Sequence, residues 1–142
     1  MMTEAKRVPV VGGLFAETAD GPRLLGSRCG GCGTAYFPKA LACHNPDCAG
    51  GSMQDAALGP RGKLWSFAVQ HYAPPAPAKY DEPYEAYAMG SVDLPEGLRV
   101  LGKISTTDLR RVKVGMDVEL VLEKLYTNPD GAQVVTWKFR PL

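Results

Sequence analysis

The sequence predicts a mainly β protein: a small cysteine-bearing module at the front, then a five-stranded barrel with a short helix between strands 3 and 4. Three observations predict it. Four cysteines fall within twenty residues, Cys29, Cys32, Cys43 and Cys48. Short β-rich runs separated by turn formers follow them. Helical periodicity is scarce, whereas 16 glycines and 12 prolines punctuate the chain of 142 residues.

The cysteine module comes first. The pattern is Cys29-x2-Cys32, ten residues, then Cys43-x4-Cys48. Cys29-Gly-Gly-Cys32-Gly33 has the composition of a metal knuckle, in which glycines let the backbone turn around an ion and bring N–H groups toward the sulfurs. Cys43-His-Asn-Pro-Asp-Cys48 is a wider turn. Zinc takes four thiolates tetrahedrally at roughly 2.3 Å. A module this small buries too little apolar surface to fold alone, and a structural metal supplies what is missing. The four cysteines are therefore expected to hold structural Zn2+ in a zinc ribbon. Free thiols and a rubredoxin-like iron centre are the alternatives. A closed four-thiolate shell has no open position for a substrate. His44, beside Cys43, is read as a loop histidine because the shell is already complete.

The barrel strands follow in order. Leu64–Tyr72 is aromatic-rich, Tyr84–Leu94 is the second strand, and the turn at Pro95–Gly97 leads to Leu98–Ile104. Thr106–Val112 is the one helical stretch, with Thr107 as its cap and Gly115 shortly after its end. Val118–Tyr126 alternates as a half-buried strand does. Asn128-Pro-Asp-Gly131 is a turn, and Gln133–Phe139 closes the set. Five strands in this order, with a helix before the fourth, fit an OB-fold barrel; a sandwich fragment is the other arrangement considered. The expected division is an N-terminal segment 1–23, a zinc ribbon 24–56 and an OB-fold domain 57–142. Trp65 and Phe67 share a face by period two, so core packing is expected for both, and Trp137 and Phe139 repeat the pattern.

Charge excludes some functions. Sixteen basic side chains meet fifteen acidic ones, divided five and five before residue 57 and eleven and ten after it. No basic field is available for nucleic acid or an anionic membrane. Arg110-Arg111-x-Lys113 reads as a solvated face. No apolar run reaches the ~18–20 residues of a membrane span. Met1–Val11 lacks the apolar core of a signal peptide. A cytoplasmic, reducing location is expected, where cysteines serve metals more than disulfides.

Catalytic signatures are scarce. The histidines are His44 and His71. No nucleophile elbow, zinc-protease helix motif or phosphate-binding glycine loop occurs. Asp81-Glu82 reads as a solvated loop tip, and no catalytic residue is assigned. His71, placed at the end of the first barrel strand, leads into Tyr72 and the proline-rich loop Ala73–Lys79. Its polar ring suits either a partner surface or plain solvent exposure.

Taken together, Leu25–Gly33, Tyr36-Phe-Pro38, the second cysteine pair, Gly59–Phe67, Pro83-Tyr84, Val114–Val118 and Phe139-Arg-Pro141 resemble the DUF35 family. These are OB-fold, acyl-CoA-associated proteins with a rubredoxin-like zinc ribbon. The resemblance spans residues ~24–142, and the x4 gap of Cys43–Cys48 is wider than is usual in the family. It implies a non-catalytic accessory subunit of a thiolase-type acyl-CoA enzyme in lipid, steroid or aromatic-compound degradation. The partner would be a thiolase-like subunit, in a heterotetramer with two copies of each chain, and the catalytic groups would lie on that partner. A CoA-thioester would then sit at or near the interface, with His71, Tyr72, Pro74, Pro75 and Tyr84 as candidate partner or CoA contacts. An acyl-CoA hydratase partner is the alternative within this class. A single-stranded nucleic-acid-binding module is the alternative of another class, which the charge balance disfavours.

Overall fold

The computed structural model describes residues 6–142; residues 1–5 of the N-terminal segment lie outside the described residues. Four strands build the front of the molecule: β2 (Phe15–Thr18), β3 (Gly21–Cys29), β4 (Ala35–Tyr36) and β5 (Met53–Leu58). β3 is central and pairs antiparallel with all three others. Its middle is tightly enclosed. A Cβ placed at Gly26 would meet the Tyr36 carbonyl oxygen and, at 2.6 Å, Leu58 Cδ1.

The remaining strands are β1 (Arg7–Pro9), β6 (Arg61–Gln70), β7 (Tyr87–Asp93), β8 (Arg99–Ile104), β9 (Asp117–Thr127) and β10 (Gln133–Pro141). β6–β7 and β7–β8 pair antiparallel, β8 runs parallel to β10, and β9 pairs antiparallel with both β10 and β6. The circuit closes into the expected five-stranded barrel through short seams, two paired positions between β8 and β10 and three between β6 and β9. β1 lies outside the circuit, parallel to β10.

Inward positions alternate cleanly along β7 and β8, as period two requires, whereas bulges interrupt the alternation in β6 and β10. Leu64, Ala88, Val92, Val100, Ile104, Val118, Leu120 and Phe139 fill the interior. Small residues make room for the large ones: a Cβ at Gly102 would lie 2.8 Å from the Phe139 ring, and one at Gly90 would lie 2.7 Å from Ile104 Cδ1. The same apolar cluster continues through Leu24, Ala35 and Leu58 of the front sheet. Phe15 and Phe37 meet Trp137 edge-on, with ring centroids 6.0 and 5.6 Å away. Front sheet and barrel thus share one core.

Several local expectations are corrected. The first barrel strand runs Arg61–Gln70 and the second begins at Tyr87. His71 and Tyr84 therefore lie in the connecting loop. The expected helix is a single 3-10 turn, Leu109–Arg111, capped by the Asp108 carboxylate, which accepts from Arg110 N; Thr107 does not cap it. Trp65 does not join the core. Leu64 pairs with Val92 but Ser66 with Ser91, so Trp65 occupies a bulge that breaks the alternation. It is 53% exposed, with the Arg99 guanidinium 3.7 Å above its ring. Phe67 packs against the core as expected. No helix among the described residues is long and apolar enough to cross a membrane.

Candidate metal centre

Two turns bring the four cysteines together. The first grows from the end of β3, where Cys29 N donates to Thr34 O at 2.9 Å and Gly33 N to Cys29 O at 2.9 Å. Gly33 takes φ +78°, which favours glycine. In the second, Cys48 N donates to Asn45 O at 3.0 Å. The two turns touch through bare backbone, since a Cβ on Gly51 would sit 2.5 Å from Gly31 N and one on Gly31 would sit 2.7 Å from Gly50 O.

The four Sγ atoms lie within 4.8 Å of one another. Cys29 and Cys48 are 3.7 Å apart, and Cys32 and Cys43 3.6 Å. Four sulfurs at roughly 2.3 Å from a tetrahedral zinc would be about 3.8 Å apart, so the donor set and its spacing fit that ion.

Hydrogen bonds prepare the sulfurs for negative charge. Backbone N–H groups of Gly31, Asn45 and Gly50 donate to Cys29, Cys43 and Cys48 at 3.3, 3.5 and 3.3 Å. The Thr34 hydroxyl lies 3.1 Å from Cys32 Sγ and the Tyr36 hydroxyl 3.4 Å from Cys43 Sγ. Hydrogen bonds from Thr34, side chain first and backbone second, bring Cys32 down to about 6. The N–H groups of Cys32 and Gly31 lower Cys29. For Cys48 the Gly50 N–H acts downward, yet hydrogen bonding with Cys32 and Cys29 outweighs it and pushes this thiol up to about 11. Thiolates this close repel one another, and a dication removes the conflict. Tyr36 also accepts His44 N at 2.8 Å, and its ring meets the His44 ring edge-on at 5.5 Å. His44 thus rests on the shell. The sequence reading missed Thr34 and Tyr36; their place, two residues after Cys32 and just before Phe37-Pro38, was the available signal.

The second candidate set divides. His71 and Tyr72 are exposed in the loop after β6, Tyr72 to 89%. Pro74 and Tyr84 instead line a groove of about 1100 Å³ between that loop and β8, β9 and β10, whereas His71, Tyr72 and Pro75 are not among its lining residues. The Tyr84 hydroxyl donates to Gln70 O at 2.7 Å. Its ring stands between Tyr80 and Tyr87, with centroids at 5.5 and 6.4 Å. Tyr80, Tyr87, Lys103 and Lys138, also in the lining, were not singled out from the sequence.

A closed cysteine cluster on a small sheet, sharing its core with a five-stranded barrel, defines a ribbon-and-barrel protein. Residues 18–54 match the family model described as the ChsH2 rubredoxin-like zinc ribbon domain, and residues 55–123 match that of the ChsH2 C-terminal OB-fold domain. The chain belongs to the DUF35 family. It is 33% identical over 121 residues to a DUF35 domain-containing scaffold protein of Methanocaldococcus jannaschii, covering 84% of this chain and 82% of that one. It is 34% identical over 131 residues to the benzoylsuccinyl-CoA thiolase subunit BbsA of Thauera aromatica, covering 91% of this chain and 85% of the relative. Among solved structures, the Ltp2-ChsH2(DUF35) aldolase is similar, with a TM-score of 0.62, 25% identity and 84% of each chain covered.

Proposed function

We propose that this chain is a non-catalytic accessory subunit of a thiolase-type acyl-CoA enzyme in lipid, steroid or aromatic-compound degradation. Similarity to a thiolase subunit along nearly the whole of both chains carries the reading. In it, residues 1–23 form an N-terminal segment, 24–56 a zinc ribbon and 57–142 the OB-fold domain. Cys29, Cys32, Cys43 and Cys48 hold a structural Zn2+, whose contribution is to fix the two turns as one rigid unit. The four-sulfur spacing and the family's zinc ribbon support that assignment.

The reacting groups are assigned to the partner. This chain stabilises the partner and helps shape the passage for its CoA-thioester, with Tyr84 and Pro74 on the groove side and His71, Tyr72 and Pro75 on the outer loop. We assign the complex two copies of each chain and a cytoplasmic location. An affinity-tagged chain purified from its native source is expected to bring down a thiolase-type subunit, identified by mass spectrometry, in equal amount. Recovery as a free monomer would overturn the reading.

A further inference from the structure

We infer that the outer face of β6–β8 around Trp65, Leu101 and Val114 is a docking surface for a protein that offers an apolar recess bordered by carboxylates. The occupant is assigned as the thiolase-type subunit, an identity that rests on the proposed function. The bulge in β6 supplies the first observation. The slip between Leu64 and Ser66 turns Trp65 out of the barrel, where it is half exposed. Bulges re-aim side chains in this way beside functional surfaces. Arg99 lies across the ring at 3.7 Å and is itself held by Asp93 at 2.6 and 3.2 Å. Trp65 is therefore fixed before a partner arrives, and little side-chain freedom remains to be lost on binding. Tryptophan and arginine are the residue types that carry most of the energy at protein interfaces.

Exposed apolar side chains flank Trp65 on both sides. Ser91 on β7 pairs with Ser66 on one side and with Leu101 on the other, so two serines form a low floor between Trp65 and Leu101. Leu101 is 62% exposed. On the opposite flank, Leu64 N donates to Met116 O at 3.0 Å and Gly115 N to Leu64 O at 2.7 Å. These bonds lay the turn that carries Val114, 65% exposed, alongside Trp65. Single exposed apolar residues are ordinary; three on adjoining elements mark an interaction site. The surface is separate from the loop that holds His71 and Tyr72, which follows the far end of β6.

The rim decides among occupants. Lys63 is paired with Asp117 at 2.8 Å and Arg99 with Asp93. Glu119, opposite Arg61 in the ladder, is bound by Arg140 at 2.6 Å. Among the described residues Arg61 and Lys113 make no ion pair, so the border beside Trp65 and Val114 keeps positive charge. Complementary potential calls for carboxylates on the partner. A second copy of this chain would meet like charge, because a two-fold pair presents the same patch from both sides. Two free cations are too few for a nucleic-acid backbone, and the Trp65 ring already carries Arg99 where a base would stack.

The zinc-loaded full chain is mixed with the purified thiolase-type subunit, and hydroxyl-radical labelling is read residue by residue by mass spectrometry. Trp65 and Leu101 are expected to label in the free chain and to be protected in the complex. Trp65→Ala and the charge reversal Lys113→Glu are each expected to weaken the complex by about 10-fold or more, with zinc content and Tm unchanged. The Lys113→Glu effect should shrink as salt is raised. The wild-type footprint tests the surface even where a variant fails to fold. Assembly with Trp65 labelled as in the free chain, or unchanged affinity in folded Trp65→Ala, would overturn the inference and leave the proposed function standing; no assembly at all would overturn both. Protection of Trp65 by self-association of the chain, or by an added oligonucleotide, would give the face to another occupant and overturn the inference equally.

Discussion

Cys29 is the most enclosed of the four sulfur donors, 1% exposed at the end of β3, whereas Cys32 is open to solvent. A weaker donor at Cys29 therefore removes a ligand from the enclosed side of the cluster. Cys29→Ser is expected to drop metal content below one zinc per chain and to lower Tm, read by metal analysis and thermal unfolding. Tyr36 acts one step out, through its hydroxyl near Cys43 Sγ and its bond from His44 N. Tyr36→Phe should keep one zinc per chain but weaken its affinity by about 10-fold, as removal of an outer-shell partner does, measured by competition with a chelator. In the barrel, Phe139 is fully buried against Gly102. Phe139→Ala is expected to cost about 3–5 kcal/mol by urea unfolding, because the cavity cannot collapse onto a glycine.

Among the elements, the long loop between β6 and β7 depends on few ties. Asp81 holds it to β9 through Lys124 and the Thr127 N–H. The Lys124 ammonium foremost, and then that N–H, keep the Asp81 carboxyl below the usual carboxylate range. The folded value thus lies under the unfolded one of about 3.9, so the tie is complete above that pH and is lost as pH falls through the folded value. Loop proteolysis should rise on acidification below about pH 4. Asp81→Ala should produce the same opening at neutral pH, with the Thr127 amide losing its acceptor and its protection from hydrogen exchange; unchanged protection would discount the tie.

The same elements mark how far the sequence was legible. Alternation and turn residues disclosed all five barrel strands, and cysteine spacing disclosed the cluster, because both are local signals. The bulge at Trp65 was invisible, since period two carries Trp65 inward with Phe67 and only the pairing of Ser66 with Ser91 shows the slip. The first strand's end was overrun through His71 and Tyr72 because ring-bearing side chains continue past the last ladder pair at Gln70. The front strands β2, β3 and β5 went unread: Gly21–Cys29 carries glycine and proline, which blur a strand pattern, and its order comes from three partners rather than from its own propensity. The pairing of Lys103 with Lys138 across β8 and β10 is a product of parallel register between strands far apart in sequence, which no local pattern encodes.

For the whole molecule, the cysteine module is continuous with the barrel through Leu24, Ala35, Leu58 and the Phe15–Trp137–Phe37 contacts. Metal removal should therefore be felt beyond the ribbon. A chelator strong enough to strip zinc is expected to lower the unfolding midpoint of the barrel as well, with tryptophan fluorescence changing together with ribbon amides; a barrel transition indifferent to chelator would show that the shared core does not couple them. The exposed Trp65 and Tyr72, with Arg99 stacked on the former, give the outer surface the residue types that anchor protein contacts. Turnover divided among components tests the central claim most directly: acyl-CoA thiolysis is measured for the purified complex, for the thiolase-type partner alone and for this chain alone. The account predicts activity in the complex, a large loss in the partner without this chain, and none in this chain by itself. Turnover by the isolated chain, or full activity of the partner without it, would contradict the account.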